Sequence, residues 1–439
     1  MALESHRNVK WIDGLRGLAS LMVVLTHLTR AFDTQLFSPR TTADATPLFL
    51  QLPIIRIPTQ GRIGVCIFSF LTGYVCALKP IRQARAGNHA AALSTVAKSA
   101  IRRTPRLVLP TTIVTIIAWF LTQLGAYKVA KGSDSGFLWF SSPLPSPTYV
   151  EAVWGLIRNI IGTWTIGQND YDHHHWSLFP LLKGSMMVYV ALAATVYLKA
   201  HVRMIVSFGS YVYFYRVGDA TFGMQCFFGM FIADLSNHPP AQDYISSRRW
   251  TRTLASPALM LVGLYLCSYP GENPEWAGWS RPMLTWSTYI FPAESDVYRF
   301  YSGLGLNFIT VAIYLSPTVK DILASKYLLW LGKNSFAVYL LHGTLLRTVL
   351  AWMFYGITAP PYVEVLNDEG KLVPPPGLPL KSRWIRAVCL PIWFGILYLS
   401  AHLWTTYVDS LCARWTQRFE QWAFQEDERD EKGGDPLSA

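Results

Sequence analysis

Ionisable residues lie at helical spacing near the start of the chain, inside an otherwise apolar segment. Arg16 and His27 are 11 residues apart, which places them on one helix face, about 16 Å apart along the axis. Asp13 precedes Arg16 by one turn and can pair with it. Because ionisable groups are costly inside a membrane, such residues are candidates for a functional site. The alternative is that Asp13 and Arg16 form an interfacial anchor and that His27 is a structural hydrogen-bonding group.

Two other apolar segments carry residues of the same kind. Arg62 stands at the start of a segment with small residues, Gly64 and Gly73, which let helices approach closely. Helix packing explains the glycines but does not explain the arginine. His342 lies in a strongly apolar segment near the end of the chain. A lone histidine in such a segment has either a structural or a catalytic role, and the segment itself leaves both open.

Neither the cysteines nor the run of three histidines has the spacing of a metal site. The six cysteines include no close pair, so we expect free thiols rather than disulfides or a zinc site. His173, His174 and His175 are adjacent, so their side chains point in different directions, and no fourth ligand follows at a suitable spacing. We therefore expect no metal and no bound cofactor.

The composition predicts an all-α integral membrane protein. Of the 439 residues, 51% are hydrophobic and 15% are charged, whereas soluble domains average roughly 25% charged residues. We expect about ten transmembrane helices in one bundle, forming one domain over residues 1–410, and a polar, disordered tail over residues 411–439. The ten apolar segments are 11–31, 63–79, 104–126, 176–198, 200–215, 219–235, 254–269, 300–317, 326–350 and 384–407.

The distribution of cations predicts the orientation in the membrane. Seven cations and no acid lie between residues 79 and 106, which marks that loop as cytosolic by the positive-inside rule. Counting helices from this loop places both termini in the cytosol. The net charge of +11 is therefore attributed to membrane orientation, and no nucleic-acid partner is expected.

Four segments together resemble the acyltransferase 3 family of membrane acyltransferases, most closely its fungal branch. The family's Asp-Gly-Leu-Arg-Gly-Leu-Ala opening with a later histidine matches Asp13 to Ala19 and His27. Its second-helix pattern matches Gly61 to Tyr74, with Ser69 and Thr72 in place of Phe and Ser. The entry to its third helix and its late histidine motif match, in order, Arg103, Arg106, Leu107 and Pro110, and then Ser335 to His342.

The resemblance implies transfer of an acyl group, most simply acetyl, from acyl-CoA to a hydroxyl group. The acceptor would be a hydrophobic small molecule, such as a terpenoid or polyketide intermediate of fungal secondary metabolism, and the location an endomembrane such as the endoplasmic reticulum. On this resemblance, His27 would be the general base, and Asp13 and His342 would complete the catalytic set. The acyl-CoA would bind Arg16, Arg62, Arg102, Arg103 and Arg106, and the acceptor would bind Thr72, Tyr74, Trp176 and Tyr339.

One motif departs from the family pattern. The fourth helix of fungal members carries a glutamate and an arginine where this chain has Leu181 and Lys183. Asp170, Asp172 and the three adjacent histidines are candidates to replace the glutamate. Two other readings stay open: a non-catalytic relative, favoured by Leu181, and a multi-pass transporter of a small molecule. The chain shows no inverted repeat of broken helices, which many transporters have.

Overall fold

The computed structural model describes residues 2–359, 365–366, 372–373 and 377–424, and within them the chain is almost entirely helical. The only strands in that part of the chain are Val365–Leu366 and Leu372–Val373, which pair antiparallel. Twelve of the longer helices, numbered in chain order, are α1 Ala2–Phe32, α2 Arg62–Arg85, α3 His89–Gln123, α4 Tyr149–Thr165, α5 Leu178–Thr195, α6 Ala200–Arg216, α7 Gly223–Leu235, α8 Ser256–Cys267, α9 Val297–Leu315, α10 Lys326–Leu345, α11 Arg383–Trp404 and α12 Ser410–Ala423.

Each of the ten predicted apolar segments overlaps one of these helices, but ten spans are not confirmed. By length and composition, five helical stretches in the described residues can cross a membrane, or six if the pair Val297–Leu315 and Pro317–Leu323, bent by 106°, is one span. Other predicted segments fall on shorter helices. The 13 residues of α7 rise about 20 Å, which is less than the roughly 30 Å of the hydrocarbon core. The five stretches are 62–85, 89–123, 173–195, 326–355 and 384–423.

Glycines allow two close helix crossings, one of which sets the positions of the site residues. On α1 and α10, a Cβ added at Gly332 would lie 2.0 Å from the carbonyl oxygen of Asp13, so the two backbones are in contact there. On α2 and α7, a Cβ at Gly73 would lie 1.9 Å from the carbonyl oxygen of Cys226. Small residues at such crossings are typical of membrane helices, where close backbone packing replaces the hydrophobic effect. The crossing of α1 and α10 brings His27 beside His342.

The tail prediction is wrong for residues 411–423, which form helix α12 rather than a disordered segment. This helix packs on α3: Arg102 lies 3.6 Å from the Glu420 carboxylate, and the Lys98 ammonium lies 5.7 Å from the centre of the Phe424 ring. The helix is amphipathic, with Cys412 and Thr416 buried. The average composition of this segment is polar, so the sequence analysis did not detect that one face of the helix is apolar. Residues 425–439 lie outside the described part of the chain.

Candidate active site

Three histidines from distant parts of the sequence meet in one cluster. His27 comes from α1, His342 from α10, and His174 from the 3-10 turn His173–Ser177 that precedes α5. The ring centres are 4.0 Å apart for His27 and His174, 4.6 Å for His174 and His342, and 5.1 Å for His27 and His342. His27 and His342, both named from the sequence as catalytic candidates, are therefore neighbours. His174 was named there only as one of three adjacent histidines.

Hydrogen bonds assign the proton on each of these rings. The Nδ1 atoms of His27 and His342 lie 2.8 Å from the carbonyl oxygens of Val23 and Tyr339, and a carbonyl can only accept. The Nδ1 atom of His174 lies 2.5 Å from Asp172 Oδ1. Each neutral ring therefore carries its proton on Nδ1 and a lone pair on Nε2. A lone pair on Nε2 is what a general base or a metal ligand needs.

A buried carboxylate and a buried guanidinium hold His174 in place. Asp172 is 1% exposed and Arg347 is fully buried, and Arg347 Nη2 lies 3.4 Å from Asp172 Oδ2. Arg347 also donates to the carbonyl oxygens of Ser141, Tyr171 and Gly343. Burial alone would raise the pKa of the Asp172 carboxyl, but the neighbouring His174 ring, which donates a hydrogen bond to it, and the Arg347 guanidinium hold that pKa well below its usual range.

The sequence analysis named Asp172 as a possible replacement for the missing glutamate, but it did not identify Arg347. This arginine lies in the π-helical turn Leu346–Leu350 that follows α10. Such turns are frequent at functional sites. The visible signal was an arginine inside a strongly apolar helical stretch, which is a functional-site candidate by the same rule that selected His27.

A cavity of about 210 Å³ gives access to the cluster. His27 and His174 line this cavity, whereas His342 does not line it and is fully buried. Tyr339 and Ser177 form one wall, with their hydroxyl oxygens 3.0 Å apart. The other polar or aromatic residues that line the cavity are Thr26, Arg30, Gln60, Arg62, Trp176 and Arg299.

The residues predicted to bind the acceptor do not line one cavity. Trp176 and Tyr339 face the histidine cavity. Tyr74 lines a separate cavity of about 290 Å³, together with Arg82 and other residues. Thr72 accepts a hydrogen bond from Arg103, 3.1 Å away. The sequence could not separate them, because Thr72 and Tyr74 belong to one motif and only the helix packing shows that they are turned away from His27.

The arginines that were predicted to bind acyl-CoA, and Asp13, also lie in different parts of the structure. Arg16 pairs with Asp13 at 3.2 Å, on the part of α1 that lies about 16 Å from His27. Asp13 therefore lies outside the histidine cluster, and its predicted catalytic role stays a prediction. Arg62 is separated from the other donor candidates, since it lines the histidine cavity. Arg102 and Arg106 line a shallow cleft between α3 and α12.

Comparison with known proteins supports an acyltransferase. A family model described as an acyltransferase domain, acyltransferase 3, matches residues 9–402. The chain belongs to this family, as the sequence motifs predicted. No solved structure matches the chain.

Three fungal relatives match over most of their length. The O-acetyltransferase PaAT-1 of Phomopsis amygdali is 26% identical over 78% of this chain and 73% of the relative. Acyltransferase clz18 of Cochliobolus lunatus is 24% identical, over 76% of this chain and 81% of the relative. Acyltransferase R4 of a Phoma species is also 24% identical, with the same shares covered.

Proposed function

We propose that this membrane acyltransferase is an O-acetyltransferase that moves acetyl from acetyl-CoA to a hydroxyl group of a hydrophobic small molecule. A terpenoid or polyketide intermediate of fungal secondary metabolism is the acceptor class we favour. Support for the reaction comes from the relative named O-acetyltransferase. The observation that carries the proposal is the cavity lined by His27 and His174, whose Nδ1 atoms each lie against an oxygen, which leaves a lone pair on each Nε2.

His27 is the proposed general base, because its ring lines the cavity and its Nδ1 is held by a carbonyl oxygen, which leaves a lone pair on Nε2. A hydroxyl is a weak nucleophile at neutral pH, so a base must remove its proton as it attacks. In this scheme, the acceptor oxygen bonds to the thioester carbonyl carbon while His27 Nε2 takes the proton. The tetrahedral intermediate then expels the CoA sulfur, which receives that proton, and His27 returns to its neutral form.

His342 and His174 have supporting roles in this proposal. His342 Nε2 lies 3.3 Å from His27 Nδ1, so it shares the proton that points toward Val23 and fixes the His27 ring. His174 stands edge-on to His27, and Asp172 holds its tautomer. His174 lines the same cavity and would help to orient the acceptor molecule toward His27.

The acyl-CoA donor is proposed to enter at the part of α1 that carries Arg16. Arg16, Arg102, Arg103 and Arg106 lie on helices α1 and α3, in the half of each helix that the loop charges assign to the cytosol. Guanidinium groups suit phosphate oxygens, and the flexible pantetheine arm would span the distance to His27. The same charge pattern supports a placement of both termini in the cytosol, and the proposed location is an endomembrane, the endoplasmic reticulum.

The second candidate function is that of a non-catalytic member of the family, which Leu181 favours. This residue is buried and stands where fungal members carry a glutamate. Asp172 supplies a buried carboxylate 2.5 Å from His174 instead. Acyl transfer is therefore our first choice, and a transporter that uses the same polar residues is the third candidate.

An assay in microsomes separates these candidates. Microsomes containing the protein would receive labelled acetyl-CoA and a panel of hydroxylated terpenoids and polyketides. We expect an acetylated product that is lost in His27→Ala, by about 10²–10⁴-fold, while the variant is still made. His201→Ala is the matched control, because His201 is an exposed histidine at the start of α6. A well-expressed His27→Ala protein with normal transfer would remove His27 from the mechanism, and uptake without product would favour the transporter.

A further inference from the structure

We propose that His27, His174 and His342 form a binding site for a zinc-like transition-metal ion, and that the ion inhibits the enzyme. One ligand nitrogen from each ring lies within 4.8 Å of the other two. Imidazole nitrogen is a preferred ligand of such ions. The sequence argument against a metal considered only the adjacent histidines 173–175, whereas the structure groups one of them with residues 147 positions before and 168 positions after it.

The distances are close to those of a real site. Zinc binds histidine nitrogen at about 2.0–2.1 Å, and nitrogens in a tetrahedral shell are then about 3.3 Å apart. Starting from separations of at most 4.8 Å, ring rotations that move the nitrogens by about 1 Å would close the shell. His342 Nε2 would exchange its contact with His27 Nδ1 for the ion. The fourth position would face the cavity and hold water, as in zinc sites with three protein ligands.

The surroundings of each ring match what metal-binding histidines require. The nitrogen that does not bind the ion normally donates to an oxygen, which fixes the ring and raises its basicity. His27, His174 and His342 donate from Nδ1 to Val23, to the Asp172 carboxylate and to Tyr339, respectively. His174 Nε2 is buried and has no hydrogen-bond partner among the described residues. A buried acceptor without a partner is costly, and an ion would satisfy it.

Inhibition follows because the ion and the proton would compete for the same lone pairs. His27 can act as a base only if its Nε2 is free, and a bound ion holds that nitrogen. The metal inference rests on the histidine geometry alone, whereas the inhibitory effect rests on the proposed function. The metal site can therefore be right while the proposed function is wrong, or the reverse. For this reason, the test must detect metal binding without measuring acyl transfer.

Cobalt provides that readout. The purified full-length protein in detergent would be stripped with a chelator and titrated with Co²⁺, whose visible absorption reports a tetrahedral site. We expect one Co²⁺ per chain, displaced by Zn²⁺. His174→Gln and His342→Gln should each lose the band and weaken binding by at least tenfold. His173→Gln is the matched control, since its ring contacts Phe140 outside the cluster, and it should keep the band. Elution as a single folded species would show that each variant is intact.

The outcomes separate the two proposals. A cobalt band that depends on His174 and His342, in a protein without acyl transfer, would support the metal site and overturn the proposed function. Acyl transfer without a cobalt band, and with no effect of Zn²⁺ on its rate, would overturn the metal site. Cobalt binding that persists unchanged in folded His174→Gln and His342→Gln proteins would also overturn it. If both proposals hold, Zn²⁺ slows acyl transfer, chelator restores it, and His173→Gln is inhibited like the unaltered protein.

Discussion

The Asp172 carboxylate lies 2.5 Å from the Nδ1 atom of His174, which follows it two positions later in the sequence. The 3-10 turn makes this contact possible, because Asp172 caps the turn and also accepts from the backbone N–H of His174. A carboxylate on one ring nitrogen fixes the tautomer and leaves a lone pair on the other, as in catalytic triads. Here the His174 ring that carries this lone pair lines the cavity beside His27.

Replacement of Asp172 by asparagine tests this contact. The asparagine side chain would keep the size of the aspartate but would offer an amide in place of a charged acceptor, so the His174 tautomer would no longer be fixed. In Asp172→Asn we expect kcat to fall by about 10²-fold or more, with little change in KM for acetyl-CoA. The measurement is steady-state kinetics in microsomes at several donor concentrations.

The control for this substitution is Asp170→Asn. Asp170 is exposed and near in sequence, so its removal should leave kcat unchanged. A purely structural role for Asp172 predicts a lower amount of folded protein with a normal kcat per folded molecule. Equal kcat values for the two variants would rule out a positioning role.

Arg347 is expected to stabilise the site and the fold together. Arg347→Leu would remove a fully buried cation and leave Asp172 and three carbonyl oxygens without it. Breaking one side of a buried ion pair costs about 3–5 kcal/mol. We expect a large drop in thermal stability in detergent, and the exposed Arg216 provides the control Arg216→Leu, which should change little. If Arg347→Leu unfolds at the same temperature as the unaltered protein, the Arg347 network is not stabilising.

Helix positions could be predicted from the sequence, whereas the contacts of the site could not. Runs of apolar residues located ten segments that each overlap a helix, and ionisable residues inside them pointed to His27 and His342. The number of spans could not be read in the same way, because short apolar helices such as α7 have the composition of a span without its length. His174, Asp172 and Arg347 were not assembled in advance, because they meet only when the loop before α5 folds onto α10. That meeting depends on packing between residues more than 160 positions apart, such as Ser177 and Tyr339.

The orientation of the chain can be tested directly. The cations between residues 79 and 106 predict that both termini face the cytosol. Tags placed at each end should both be digested by protease in sealed microsomes that have the cytosolic face outward. An intact lumenal marker protein in the same sample would show that the vesicles are sealed. Protection of one tag alone would mean an odd number of spans.

Gly343 gives a test that alters the site without removing any polar group. A Cβ at this position would lie 2.2 Å from His174 Nδ1 and 2.8 Å from Asp172 Oδ1. Gly343→Ala must therefore displace the pair, and such overpacking costs about 1–3 kcal/mol. We expect acetyl transfer to fall at least tenfold in protein that still folds. Gly395→Ala on α11 is the control, because no atom lies within 4 Å of the added Cβ and alanine favours a helix. Equal transfer rates for both variants would show that His174 need not be held in place.

Arg16 offers the clearest test of where the donor binds. Its guanidinium lies 3.2 Å from the Asp13 carboxylate, and about a third of the side chain is exposed. A charged hydrogen bond to a CoA phosphate is worth about 1.5–3 kcal/mol, so Arg16→Ala should raise KM for acetyl-CoA by about 10- to 100-fold. Arg16→Lys keeps the charge but loses the planar fork and should recover only part of that loss.

Asp13 distinguishes donor binding from a simple interfacial anchor. If Arg16 and Asp13 only anchor the helix, removing either partner breaks the same pair, and Asp13→Asn should resemble Arg16→Ala. If Arg16 binds the donor, Asp13→Asn releases the guanidinium from a competing carboxylate, so KM for acetyl-CoA should stay the same or fall. Because Asp13 is about half exposed, its loss should cost little stability. Parallel increases in KM for Asp13→Asn and Arg16→Ala would therefore place the donor elsewhere, and Arg102 and Arg106 in the cleft beside α12 would be the next positions to test.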